Sequence, residues 1–339
     1  MKRAALLLLC LIFLPLSGAF CLEENGDLPH LYSGRIRVSA KVYADWRDGE
    51  GHNFIDSIVK GEWVKIHAVY PDHVLISYNK GKLVGYINRL WIENPRTIDP
   101  EHTPHYGVEF NHFLAEIGPE PTPITSLPGG GDTLITLYSG AWLSFIGFEE
   151  GYAKVIYHRQ YGYVDSNLFS SLVPVYFHPE AAGTDHPIAS YTSFYKITTD
   201  ESNLNRIHNL KVACEKMEKI VLQPMDKMDF NKDIGPYRRS EGYLPAGTIT
   251  EDGLTQGVGG GTCQVSSTLY NVVLQLPGIN VLYRRAHGNN GASYLPIWVD
   301  AAVGNSTQNF RIRNEYDFPI RFDTCVQDGA ITIAMYRAE

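Results

Sequence analysis

Past its first twenty residues the chain contains no apolar run near the about 20 residues that a membrane-spanning helix requires. No membrane span is therefore expected once the N-terminal segment is removed. Cysteine is scarce, with five in 339 residues, at positions 10, 21, 214, 263 and 325. Cysteines so few and so scattered exclude a disulfide scaffold, and without a Cys-x-x-Cys pair a structural zinc site is not expected. A single Cys214–Cys325 bridge stays open, and it would leave Cys263 as the unpaired thiol to explain. Positive charge is also in short supply: 29 Lys and Arg against 37 Asp and Glu leave a net charge of −8. Phosphate backbones are held by basic surfaces, so nucleic acid is not an expected partner. No cofactor is expected. The histidines His102, His105 and His112 of the proline-bearing stretch 94–120 lack the carboxylate or cysteine spacing of a metal site.

What is present begins with a secretory pattern. Lys2 and Arg3 precede an apolar run from Ala4 to Leu16, followed by Ser17, Gly18 and Ala19, a small-x-small cleavage site. Residues 1–20 are read as a signal peptide and the protein as exported, periplasmic or extracellular. A lipid anchor on Cys21 is the alternative; against it stands Phe20, where lipid-modifying peptidases want a small residue. The roughly 320 remaining residues suit two or three domains. Aromatic residues make up 12% of the chain alongside 31 Gly and 19 Pro, which suits small β modules with exposed aromatic grooves and equally suits plain core packing.

From Arg35 to Glu93 short alternating segments such as Trp63-Val64-Lys65-Ile66-His67 and Val74-Leu75-Ile76-Ser77-Tyr78 read as half-buried strands. Their order then returns. Gly61-Glu62-Trp63-Val64 is echoed by Gly140-Ala141-Trp142-Leu143, Val74 to Tyr78 by Ala153 to Tyr157, and Gly85-Tyr86-Ile87 by Gly162-Tyr163-Val164. Two copies of one small β module follow from this repeat. On the Gly-Tyr-Val/Ile pattern these copies, residues 34–93 and 121–172, resemble bacterial SH3-like barrels. That resemblance implies binding to cell-wall peptides or packing against a catalytic domain. The expected fold is therefore mixed: two small all-β barrels, then an α+β domain over residues 188–339.

That last domain holds the chemistry. Asn203 to Glu218 has a helical apolar stripe. Phe230 to Ile234 leads through Gly235-Pro236 into a loop and reads as a short extended piece. The run Gly257-Val258-Gly259-Gly260-Gly261-Thr262-Cys263-Gln264-Val265-Ser266-Ser267-Thr268-Leu269-Tyr270-Asn271 puts a glycine turn directly before a helix, so Cys263 stands at a helix start. Glycines let a substrate approach the backbone closely, and first-turn N–H groups favour an anion, whether a thiolate or the oxyanion of acyl transfer. A thiol nucleophile needs a base, and His287 is the next candidate, placed between an expected strand Ile279–Tyr283 and a returning strand Tyr294–Val303 that carries Asp300 as orienting group. Gly260, Gly261, Gln264, Ser266 and Ser267 then become candidates for substrate contact. Helix capping by the two serines is the plainer alternative.

Asn205-Arg206-x-His208-Asn209, Pro224 with Phe230, Gly235-Pro236, the block from Gly259 to Asn271, Arg284 to His287, Asp300-Ala301 and Phe310 to Asn314 together resemble the VanW domain. In place of the acidic residue often found before the family's arginine, this chain has Tyr283 ahead of Arg284. The resemblance implies a cell-wall-associated enzyme with a cysteine acyl-enzyme mechanism, L,D-transpeptidase-like or carboxypeptidase-like, acting on peptidoglycan stem peptides. Cys263 would be its nucleophile and His287 its histidine, and Arg206 and Arg284 are candidates to hold a stem carboxylate through paired hydrogen bonds. Two other readings stay open: a Cys-His peptidoglycan endopeptidase, and a non-catalytic wall-binding protein whose glycine turn cradles a carboxylate.

Overall fold

A computed structural model describes residues 32–70, 72–97, 110–176, 178–250, 253–287, 292–296 and 299–339. The signal segment, Cys10, Cys21, His102 and His105 lie outside them. Strands dominate, with few helices. Tyr32–Ile36, Ala40–Arg47, Glu50–Ile58, Trp63–Val69, His73–Tyr78, Leu83–Asn88 and Ile92–Thr97 form one seven-stranded antiparallel sheet, with Glu50–Ile58 and Ile92–Thr97 at its two edges. These edges do not pair with each other, so no closed barrel forms among the described residues.

The same order of elements recurs further along. Phe113–Ile117, Thr122–Leu127, Gly130–Leu137, Trp142–Phe145, Tyr152–Tyr157, Gln160–Asp165 and Phe169–Pro174 follow in like succession, with one added strand, Gly147–Glu149, split between a five-stranded and a three-stranded sheet. Period-2 alternation makes these strands: Val74 and Ile76 in the first set, Ala153 and Val155 in the second, are fully buried between more exposed neighbours. Each set turns into its last strand through a 3-10 turn capped by a short polar side chain. Asn88 Oδ1 accepts from Leu90 N at 2.9 Å, and Asp165 Oδ1 from Asn167 N at 2.9 Å.

The C-terminal part packs helices on a second antiparallel system. Pro187–Phe194, Ala330–Arg337, Ile320–Gln327 and Val221–Leu222 form a four-stranded sheet in that order, and Lys227–Asp229, Phe310–Asn314 and Ile279–Arg284 a three-stranded one. Helix α1, Glu201–Met217, starts at Asp200, whose side chain accepts from Asn203 N at 2.9 Å. It buries Leu210, Ala213, Cys214 and Met217 along one stripe. Helix α2 is the short Phe230–Asp233 and α3 is Thr262–Val273. Helix α3 lies against Pro187–Phe194 and Ala330–Arg337 and is buried all round, with Cys263 its one residue that is not. The polar residues on its inner face are paired, for example Thr268 Oγ1 with Ser193 Oγ at 2.7 Å. The sheet that carries α3 is tied in turn to the second β unit, where Ser144 Oγ meets Ser190 Oγ at 2.7 Å and Thr332 Oγ1 donates to Trp142 O at 2.7 Å.

Three expectations are corrected. Phe230 to Asp233 is helical and not extended, because Asp229 caps the turn by accepting from Lys232 N at 3.2 Å. Tyr294 to Val303 is not the strand that returns on Ile279–Arg284. Phe310–Asn314 takes that place, and the backbone from Val299 to Ala301 is bonded to side chains of α3 instead of to a ladder. Cys214 and Cys325 are free thiols and make no bridge.

Candidate functional site

Why α3 begins where it does is set by what surrounds its glycines. Gly261 caps the helix at φ +106°, a conformation side chains avoid, and a Cβ there would stand 2.8 Å from Arg206 Cγ. Gly260 is buried against the hairpin of Pro245–Thr250 and Gly253–Val258, where a Cβ would meet the carbonyls of Ala246 and Gly247 at 2.8 and 2.7 Å. The Asn205 to Asn209 motif of α1 fastens this turn: Asn209 Nδ2 donates to Leu244 O and Gly260 O, both at 2.9 Å, and Asn205 Nδ2 to Pro245 O at 2.9 Å. The tight glycine path therefore delivers Cys263 to the surface end of an otherwise buried helix.

Around Cys263 the chain closes from the far side. Its thiol donates to Val303 O at 3.3 Å and lies 3.4 Å from Val303 N. His287 Nδ1 and Asp300 Oδ2 are 2.5 Å apart, and the same oxygen accepts from His287 N at 2.8 Å, which fixes the ring by two bonds. The Cys263 thiol is near enough to act on the imidazole as well. Burial disfavours the imidazolium, but Asp300 and Cys263 together outweigh it and raise the His287 pKa to about 10. Burial also pushes the Asp300 carboxyl up. The His287 ring and backbone N–H and the nearby Arg284 prevail and hold it below the usual carboxylate value. Asp300 itself is 0% exposed and its Oδ1 has no partner, a cost that the doubly bonded Oδ2 offsets.

The remaining candidates divide. Arg206 reaches the site: its Nη2 donates to the neutral Gln264 Oε1 at 2.6 Å, and its charge is felt by Tyr294 and Cys263. Gln264 is 1% exposed and bridges Arg206 to Ser193 and Phe194, so it positions the guanidinium from beneath. Ser266 and Ser267 are fully buried and donate to Ala301 O, at 2.6 and 3.3 Å, while Ser267 Oγ also accepts from Ala301 N at 2.9 Å. They do not face solvent; they hold the Asp300-bearing segment against α3. Arg284 Nε donates to Asp300 O at 2.9 Å and its guanidinium lies 4.9 Å from the centre of the Tyr270 ring, so it braces the Asp300 backbone. Among the described residues no group of His, Cys, Asp and Glu is arranged to hold a metal ion.

Sequence reasoning passed over three residues beside the thiol. Tyr294 lies near Cys263, and burial with that nearby thiol raises its pKa. Tyr237 packs on Gly259, where a Cβ would come within 2.7 Å of its own Cβ. Asn231 Oδ1 accepts from Tyr237 Oη and from Gly304 N, both at 3.0 Å. No spacing in the chain announces them, because each reaches the site across a fold contact.

Comparison with known proteins agrees with this part of the chain. Residues 205–336 match the family model described as VanW like protein. The uncharacterized protein YoaR of Bacillus subtilis (strain 168) is 28% identical over 192 residues, 57% of this chain and 63% of that protein. The chain thus spans less than two thirds of that relative's length. A solved structure, NlpC1 from Trichomonas vaginalis, aligns over 94% of this chain and 98% of its own at 10% identity, with a TM-score of 0.17, too low to carry any argument. The segment that brings Cys263, His287 and Asp300 together lies within the part of the chain that matches the VanW-like family model.

Proposed function

We propose that this is an exported cell-envelope protein whose VanW-like domain performs cysteine-based acyl transfer on peptidoglycan stem peptides. The observation that carries the reading is the one incompletely buried residue of α3, Cys263, beside an imidazole that a buried carboxylate fixes in turn. Nucleophile, base and orienting group stand in the roles that acyl transfer needs.

In the first step the Cys263 sulfur, its proton on His287, attacks the carbonyl of the third stem residue. Thr262 N and Gln264 N donate to Gly259 O and Gly261 O, so the Cys263 N–H is the first-turn donor assigned to the oxyanion. Collapse breaks the amide bond, and the imidazolium gives its proton to the departing D-amino acid, leaving a thioester. A side-chain amine of a neighbouring stem then attacks the thioester, His287 takes the amine proton, and the thiol is restored with a new cross-link formed. With water as acceptor the product is a shortened stem, the carboxypeptidase outcome. Arg206 is the group assigned to the substrate carboxylate.

The repeated order of strands over 32–97 and 113–174 supports reading residues 34–93 and 121–172 as SH3-like modules that recognise the wall, ahead of an α+β catalytic domain over 188–339. The test is incubation of the protein, and of Cys263→Ala, with purified disaccharide tetrapeptide, followed by mass spectrometry. Cross-linked dimer or loss of the terminal residue, absent in the variant, is the expected result. Unchanged substrate with both proteins would refute the enzyme and leave a binding protein.

A further inference from the structure

The thiol of Cys263 borders two unlike surroundings. One is cationic: Arg206, on α1, seated against Gly261 and bonded to Gln264. The other begins at Val303, whose backbone contacts the sulfur. The next residue, Gly304, borders a surface depression of about 260 Å³ lined also by Asn231, Pro236, Tyr237, Asn305, Ser306 and Asn309. None of the residues lining it carries a charge.

Its asparagine and tyrosine side chains are bonded within the chain, which makes the shape rigid. Asn231 Nδ2 donates to Asn305 O at 2.9 Å and Gln308 O at 2.8 Å, while its Oδ1 takes the Tyr237 hydroxyl and the Gly304 N–H. Asn305 Oδ1 accepts from Thr307 N and Gln308 N, both at 2.9 Å. Asn309 Nδ2 reaches Asp229 Oδ1 at 2.8 Å and its Oδ1 accepts from Asn231 N at 3.2 Å. A ligand entering here orders no loop, so little of its binding energy is lost to that cost. A charged group entering would lose water without meeting a counter-charge, whereas a small apolar side chain would not suffer that penalty.

We propose that this depression is the subsite for an uncharged stretch of the peptide on the acyl side of the bond that Cys263 cleaves, with an apolar group against Tyr237 and Pro236, while the peptide's free carboxylate lies at Arg206. The proposal rests on the acyl-transfer reading for the place of Cys263, and it adds the polarity with which the peptide lies across the thiol.

Titration calorimetry of the Cys263→Ala protein with purified disaccharide tetrapeptide, with and without Ser306→Trp, tests it. Ser306 is exposed on its loop, so the indole can fill the depression without displacing the core. Filling it should raise Kd at least about tenfold, the ordinary weight of one lost contact patch of about 1.4 kcal/mol. An equal Kd in both, or no measurable binding to either, overturns the subsite. Should Ser306→Trp melt well below its parent, Ser306→Leu is the smaller filler and is read in the same way. Turnover separates the two ideas. Turnover by wild type that Ser306→Trp leaves unchanged keeps the enzyme and removes the subsite, whereas tight binding lost on filling, with no turnover by wild type, does the reverse.

Discussion

Asp300→Asn keeps the outline of the buried side chain and removes its charge. In the wild-type fold His287 stands at about 10 against an ordinary 6.5, a preference for the imidazolium of at most about 5 kcal/mol at about 1.4 kcal/mol per pH unit, shared between Asp300 and Cys263. Burial, the largest single influence on the ring, acts the other way and persists in the variant. The His287 pKa should therefore fall by at least about 2 pH units in Asp300→Asn, the usual weight of one adjacent opposite charge. NMR titration of the labelled imidazole in both proteins reads this directly. Turnover of the tetrapeptide should fall by roughly 10²–10⁴, because the ring loses both its tautomer and its charge partner. A midpoint that stays within about half a pH unit of wild type would refute the account of what holds His287. The same shift sets a stability profile. Because the folded pKa lies above the unfolded one, the His287 contribution is fully present below about pH 6.5 and is lost as pH rises through about 10. Wild-type stability to urea should decline across that window, and the decline should be shallower in Asp300→Asn.

Two further substitutions probe the scaffold. Gly261→Ala forces a side chain into φ +106° and to within 2.8 Å of Arg206 Cγ, so it should cost about 1–3 kcal/mol in urea melts, while Gly147→Ala, with open space around its Cβ position, serves as a near-neutral control. Asn231→Ala removes the bonds to Tyr237, Gly304, Asn305 and Gln308 at once and should destabilise by roughly 2–3 kcal/mol, with faster hydrogen exchange confined to the 304–309 loop.

Much of the candidate site was legible because its parts are local. The glycine run before an apolar helical stripe placed Cys263 at the start of α3, and the stripe from Leu204 to Met217 gave α1 within two residues at its N-terminus. The repeat of strand pattern and Gly-Tyr signature gave two successive β units whose elements follow the same order. These signals rest on backbone conformation and period, which neighbouring residues fix among themselves.

The sequence by itself determined which residues have the chemistry: a lone cysteine at a helix start, a histidine and an aspartate downstream of it. Tertiary structure alone decided what each can do. The stretch from Val299 to Val303 belongs to the expected strand Tyr294–Val303. It is held instead by Ser266, Ser267 and Asn271 of α3, whose hydroxyls and amide satisfy backbone groups that a ladder would otherwise bond. The same serines read as substrate contacts until burial showed them facing inward. Asn231 carried no signal at all, since a side chain that bonds a loop more than seventy residues away leaves no spacing to read, and Tyr237 bonds Asn231 in turn. Whether a polar side chain meets substrate or holds the chain together is a matter of which groups lie within hydrogen-bond reach in space, and only the packed fold sets that.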